Sequence, residues 1–266
     1  MTDCIQVSVN DGVADVRMTR ADKMNALNGA MFDALIDTAA EINENKSVRA
    51  VVLSGEGRAF CAGLDMTSFE QMVSAENAEA KPPLATRTHG ITNHPQQAAW
   101  AWRTLRVPVI AAVHGVALGG GFQVMLGSDI RFVHPETKLS ILEVKWGLVP
   151  DICGTAIMHS LASDDLVREL TYTARIFSGT EAKEYGFATH VTDTPLESAL
   201  ALAREIASKS PSAVQASKKL LNLVTHADAE RILLTESEIQ DTIIGKPNQV
   251  EAIMAGLEKR VGNFAD

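Results

Sequence analysis

A chain of 266 residues and 28.6 kDa is long enough to bury a large core, as one domain or one domain with an appendage. Its 46% hydrophobic and 21% charged residues are those of a soluble globular protein. The net charge of −9 argues against nucleic acid as the main partner, because neutralising phosphates needs a basic face. With 5% aromatic residues, stacking on bases or sugars is not indicated either, while a small anionic ligand held by a few local cations stays open. The three cysteines, Cys4, Cys61 and Cys153, are far apart and form no CxxC pair, so neither a disulfide framework nor a zinc knuckle is expected. Met1-Thr2-Asp3-Cys4 lacks the basic and apolar regions of a signal peptide, and no run approaches the ~20 apolar residues of a membrane span. The expectation is a reduced, cytoplasmic protein with no metal and no membrane partner.

The elements follow in order. Ile5, Val7 and Val9 alternate with polar residues, Asn10-Asp11-Gly12 signals a turn, and Val13, Val16 and Met18 return, which predicts a β-hairpin. Arg20 to Leu27 is a polar crossing segment. From Gly29 to Asn45, Met31, Leu35, Ile36, Ala39 and Ile42 fall at helical spacing. Ala50–Leu53 reads as a buried strand, followed by the small-residue stretch Arg58 to Met66. Residues 74–96 read as an exposed loop region with a little helix, and Gln96–Arg106 as a helix. Val109–Val113 is a second buried strand, Ser128–Val133 resembles another, and Leu139–Leu142 leads to Glu143.

From about Thr180 the chain turns helical, with helices expected over Leu196–Lys209, Ser212–Val224, Ala229–Ile244 and Asn248–Val261. Alternation of strand and helix favours a mixed α/β core with parallel pairing. The shift in pattern near 190–195 divides the chain into a core, 1–193, and a C-terminal helical region, 194–266, suited to cover a site or build an oligomer interface.

Between the Val109 strand and an apolar run lies His114-Gly-Val-Ala-Leu-Gly-Gly-Gly-Phe-Gln123. Consecutive glycines at a strand-to-helix junction bring bare backbone amides close to whatever binds there. Taken alone, the stretch reads equally as a tight turn or as a site for a negative oxygen. His89 and His94 lie in a polar loop without a carboxylate cluster, which disfavours a metal site. His114 reads as a hydrogen-bonded structural histidine. Cys61 reads as a small packing residue, and the serines lack a GxSxG elbow.

Four stretches, taken in order, are similar to one family. Arg20…Asp22-Lys23…Asn25-Ala-Leu27, Arg58-Ala-Phe-Cys-Ala-Gly-Leu-Asp65, Gly115-Val-Ala-Leu-Gly-Gly-Gly-Phe-Gln123 and Glu143-Val-Lys-Trp-Gly-Leu-Val-Pro150 resemble motifs of the crotonase, or enoyl-CoA hydratase/isomerase, superfamily. The resemblance implies a repeated ββα spiral core with a C-terminal helical region, and trimers that pair into hexamers. It also implies an acyl-CoA thioester substrate, with coenzyme A as part of that substrate and no separate cofactor. Two backbone N–H groups that hold the thioester oxygen map to Leu64 and Gly120, in a pocket that includes Ala62. Donors already aimed at that oxygen stabilise an enolate without reorganising. Lys23, Arg20 and Arg58 suit either the phosphates of coenzyme A or a solvated surface.

The acid/base positions decide the reaction. Family hydratases use two glutamates, which map here to Gln123 and Glu143. An amide orients water or substrate but exchanges no proton at useful pH. Glu143 sits among Ile141, Leu142 and Val144, where desolvation raises a carboxyl toward neutrality, so it reads as the general acid/base. A salt bridge to Lys145 or Arg131 is the alternative. Asp151 lies where the dienoyl-CoA isomerase branch carries a second acid, although that branch also has an aspartate at position 123. Asp151 equally suits a helix N-cap. The expectation leans to double-bond isomerisation, ahead of hydration through Glu143 and of a catalytically weak acyl-CoA-binding protein.

Overall fold

The structure is a computed structural model that describes residues 4–68 and 84–224, with separate positions between 247 and 265. Strands β1 (Ile5–Asn10) and β2 (Val13–Met18) form the expected hairpin. Its turn residues Asp11 and Gly12 have φ of 49° and 79°, the left-handed pair that a tight hairpin turn demands and that Asp-Gly tolerates. The main sheet then adds β3 (Ala50–Gly55), β4 (Val109–Val113), β6 (Ile130–Val133) and β8 (His190–Val191) in the order β1-β2-β3-β4-β6-β8. Every pairing after the hairpin is parallel, so each connection must cross over through other structure.

That crossing structure repeats. A second, smaller sheet holds β5 (Val116–Leu118) beside β7 (Lys138–Ser140). Single-residue bridges extend it, Cys61 to Ala117, Leu27 to Leu64, and Leu139 to Phe177. Each unit therefore sends one strand to the main sheet, one short extended piece to the second sheet, and then a helix. β2 and Leu27 lead to α1 (Gly29–Glu44); β3 and residues 61–64 lead on to α2 (His94–Thr104). β4 and β5 lead to α3 (Gly120–Leu126), and β6 and β7 lead to α4 (Gly154–Met158). This is the expected ββα repeat.

Local chemistry explains the helix starts. Asn28 caps α1 by accepting from the Met31 amide at 3.0 Å, and Asn93 with Gln96 forms a capping box at α2. Met31, Leu35, Ala39 and Ile42 then face the core. α5 (Asp164–Thr173) and α6 (Gly179–Tyr185) have no counterpart in the sequence reading. Yet Ser178 and Glu181 form a capping box whose S-x-x-E signature is written in the sequence.

The division at 193/194 does not coincide with a break in packing. α7 (Pro195–Ala207) places Ala199, Ala203 and Ala207, four residues apart, against Val13, Ala50, Val52, Ile110 and Ala112 of the main sheet. Small side chains on one helix stripe let the helix lie close to the sheet, so α7 is a layer of the core. α8 (Pro211–Val224) is anchored by Lys218, whose ammonium donates to Asp129 at 2.8 Å and to the carbonyls of Val107 at 2.8 Å and Trp102 at 3.3 Å. Residues 74–83 of the expected loop, the expected helix 229–244 and most of 248–261 lie outside the described residues.

Candidate active site

The second sheet brings two backbone amides to one place. The Leu27 amide donates to the Gly63 carbonyl and the Asp65 amide to the Leu27 carbonyl, which leaves Leu64 between them with its N–H unspent. The Gly120 amide opens α3, where helix geometry offers no partner. Neither amide has an acceptor among the described residues. The loops that carry them are pressed together. A Cβ built at Gly63, whose φ is +90°, would lie 2.5 Å from the Leu118 carbonyl oxygen and 3.9 Å from the Gly120 nitrogen. The bonds Cys61 N–H to Val116 and Leu118 N–H to Cys61 hold this register. Ile152 and Leu27 supply an apolar wall, their terminal carbons under 3 Å from a Cβ at Gly120.

Beside these amides stands Glu143, in the 3-10 turn that follows β7, and it is 7% exposed. Its Oε1 lies 3.3 Å from a Cβ placed on Gly119, the residue before Gly120, so the missing side chain makes room for the carboxylate. Burial pushes the Glu143 carboxyl above the usual carboxylate range. Hydrogen bonds, including one from Gln123, partly oppose that rise, and the field of Asp151 adds to it. Neither alternative ion pair forms. The Arg131 guanidinium is turned to the carbonyls of Phe187 and Ser128, and Lys145 is exposed. The Oε2 atom is buried without a hydrogen-bond partner among the described residues.

Gln123 is fully buried. Its Nε2 donates to Glu143 Oε1 at 2.6 Å, and its Oε1 accepts from the Ile152 and Gly154 amides at 2.9 and 2.8 Å. The expected partner of this amide was water or substrate; the structure directs it instead to Glu143 and to the turn that follows Asp151.

Asp151 does not cap a helix. α4 begins at Gly154, and its cap position is Cys153, which has a φ of 65° and makes no side-chain cap bond. The Asp151 side chain opens to solvent, yet burial of its carboxyl in the surrounding protein raises its pKa. Lys23 and Arg58 are both exposed, on adjacent loops joined by the contact of Gly57 with Ala21. Ala62 spends its amide on the Met24 carbonyl at 2.9 Å. His114 bonds the Gly57 carbonyl at 2.9 Å, as a structural histidine would. Cys61 is wholly buried, and burial pushes its thiol up to about 12, which makes it inert as a nucleophile. His94 pairs with Asp33, and no three potential metal ligands gather among the described residues.

Asp65 has no role in the sequence expectations, and Arg20, expected at the phosphates of coenzyme A or on a solvated surface, is instead its ion-pair partner. Asp65 is 6% exposed and accepts from Arg20 at 2.9 Å, from the Thr67 amide at 3.1 Å and from the Thr67 hydroxyl at 2.9 Å. Arg20 also donates to the Ala26 carbonyl at 2.5 Å. The signal for this pair was the presence of Arg20 and Asp65 in two of the motifs, but their contact spans 45 positions of sequence.

The model of the Enoyl-CoA hydratase/isomerase family matches residues 8–266. The mouse mitochondrial Delta(3,5)-Delta(2,4)-dienoyl-CoA isomerase is 31% identical over 264 residues, covering 96% of this chain and 80% of that protein. Mouse mitochondrial methylglutaconyl-CoA hydratase is 30% identical over 258 residues, covering 94% of this chain and 79% of that protein. Among solved structures, an enoyl-CoA hydratase from Bacillus anthracis superposes with a TM-score of 0.87 at 29% identity, over 98% of this chain and 99% of its own.

Proposed function

This chain belongs to the enoyl-CoA hydratase/isomerase family, and on that footing we propose that it moves a proton within an acyl-CoA thioester through an enolate. The Leu64 and Gly120 amides hold the thioester oxygen. Glu143 removes the proton next to the carbonyl, and the electrons of that C–H bond pass to the held oxygen. Return of a proton at another carbon shifts the double bond. The observation that carries this reading is the buried Glu143 carboxyl set beside two unspent backbone amides.

Isomerisation is favoured over hydration because the amide of Gln123 offers no second acid on that wall. Asp151, whose charge is felt at Glu143, is the remaining carboxyl. Hydration through Glu143 is the second reading, supported by the unpartnered Oε2, a ready acceptor for a water proton. Incubation of 2-enoyl-, 3-enoyl- and 3,5-dienoyl-CoA in heavy water, with products identified by mass, separates the two. Isomerisation leaves an enoyl mass with incorporated deuterium, whereas rapid formation of 3-hydroxyacyl-CoA overturns it.

The same reading makes Lys23 and Arg58 phosphate contacts for coenzyme A, with Ala62 in the substrate pocket. It also makes the protein a homotrimer or hexamer. The exposed apolar run Val144, Trp146, Leu148 and Val149, next to Glu143, supports self-association, which sedimentation velocity tests. Proton transfer of this kind requires no cofactor, so dialysis against EDTA is expected to leave turnover intact. No helix among the described residues is long and apolar enough to cross a membrane. A cytoplasmic location is part of the proposal; the two mouse relatives are mitochondrial proteins.

A further inference from the structure

We propose that Gln123 is a positioning residue that decides which oxygen of Glu143 carries the proton: its amide ties Oε1 to the 152–154 turn and leaves Oε2 to react. The proposal rests on the acyl-CoA reading above.

The orientation of the amide is dictated by its surroundings. Two backbone N–H groups, from Ile152 and Gly154, point at one end of it, and only the carbonyl oxygen can accept from both. The NH2 group is thereby turned to Glu143, where it donates to Oε1 at 2.6 Å. A flipped amide would set donors against donors and an oxygen against a carboxylate. Packing holds the strut in place. A Cβ on Gly154 would sit 2.6 Å from both Cγ and Oε1 of Gln123, so the turn rests directly on the glutamine side chain.

Oε1 is consequently engaged as the acceptor of the Gln123 amide. Oε2 is buried and has no hydrogen-bond partner among the described residues. Leaving a buried carboxylate oxygen unsatisfied is costly, and such a group is retained where a ligand or a proton completes it. In the forward step the C–H bond of the substrate breaks, an O–H bond forms at Oε2, and the electron pair moves to the thioester oxygen. The reverse transfer restores the carboxylate.

The same amide sets the relation between the two carboxyl groups, because the turn it grips begins immediately after Asp151. Asp151 is the charge that acts on Glu143. Lys145, on the same turn as Glu143, is exposed. α5 packs against that turn, and its charged residues are exposed, with Arg168 paired to Asp164 and Glu169 to Arg175.

Gln123→Met and Gln123→Glu test the proposal. Methionine keeps the length of the side chain and loses every hydrogen bond. Glutamate keeps the acceptor for the turn amides but brings a second carboxylate against Oε1. In Gln123→Met the acidic limb of kcat/KM is expected to move to higher pH by roughly one pH unit, the worth of a charge-assisted hydrogen bond. Its kcat is expected to fall about 100-fold while KM changes less than about threefold. In Gln123→Glu the limb moves in the same direction, because a neighbouring negative charge makes Glu143 harder to ionise.

A readout free of turnover is the titration of Glu143 by carbon NMR in protein labelled at glutamate carboxyls, with the signal assigned by its loss in Glu143→Gln. Both variants are expected to titrate above the wild-type protein. Identical acidic limbs, or identical Glu143 midpoints, in all three proteins overturn the proposal. A wild-type protein that turns over no acyl-CoA would instead sink the functional reading, and the NMR midpoints would still decide the role of Gln123.

Discussion

Arg20 and Asp65 meet at 2.9 Å, a side-chain staple added to the backbone bonds that already join the 20–27 segment to the loop carrying the Leu64 amide. Burial alone would raise the Asp65 carboxyl, but the Thr67 amide and hydroxyl and the Arg20 guanidinium together pull it below the usual range. A carboxyl depressed in the folded state contributes stability above its unfolded pKa, and that contribution is lost as pH falls through the folded value. The isosteric Asp65→Asn is therefore expected to be less stable than the wild type at pH 7, with the difference closing as the buffer is taken below about pH 4. Thermal unfolding across that range is the measurement.

Gly63 is the point where the two donor loops touch. Its φ of +90° and its distance to the Leu118 carbonyl leave no room for a methyl group. Gly63→Ala is expected to spread the Leu64 and Gly120 amides and lower kcat by roughly 10²–10³, the usual cost of losing one oxyanion donor. Circular dichroism of the variant should stay close to that of the parent. Wild-type rates in Gly63→Ala would remove this pair of amides as the oxyanion site.

Glu143 is expected to cost the fold stability in exchange for reactivity. Its carboxyl is raised by burial, so its contribution is favourable at low pH, where it is protonated, and is lost as pH rises through the raised value. Glu143→Gln removes that charge while its side-chain oxygen can still accept from Gln123. The variant should lose turnover by about 10²–10⁴ and gain stability relative to wild type as pH increases. Asp151→Asn, at a side chain open to solvent, should unfold like the wild type yet slow isomerisation; an unchanged rate would exclude it as the second acid.

Lys218 carries a different burden, outside the residues assigned to the chemistry. Its ammonium is almost fully buried and binds Asp129 and two backbone carbonyls, so it anchors α8 beneath the loop that leads into β4. Lys218→Met leaves Asp129 and those carbonyls without their donor, and is expected to cost roughly 3–5 kcal/mol in denaturant unfolding. Retained activity at low temperature in the same variant would show that the anchor serves stability.

The strand-and-helix alternation, the Asp11-Gly12 turn and the apolar spacing of α1 were all legible in the sequence, because they depend on neighbours within a few residues. So were the glycine stretch and the buried context of Glu143. The seven-residue α6 was not, since it is too brief for its periodicity to stand out, and the ten-residue α5 was missed without that excuse. The cap reading of Asp151 fell for a related reason: the helix starts three residues later, at Gly154, and only the folded backbone shows it.

By itself, the sequence determined the α/β class, the strong family resemblance and the residue types available for chemistry, all of which are carried by local pattern. The tertiary structure decided their relations. It placed the Leu64 and Gly120 loops side by side, drew Arg20 to Asp65 across 45 positions, and made α7 a layer of the core. It also turned the Gln123 amide toward Glu143. Whether an amide faces substrate or another side chain depends on which donors surround it, and here those donors, Ile152 and Gly154, come from 29 and 31 residues further along the chain.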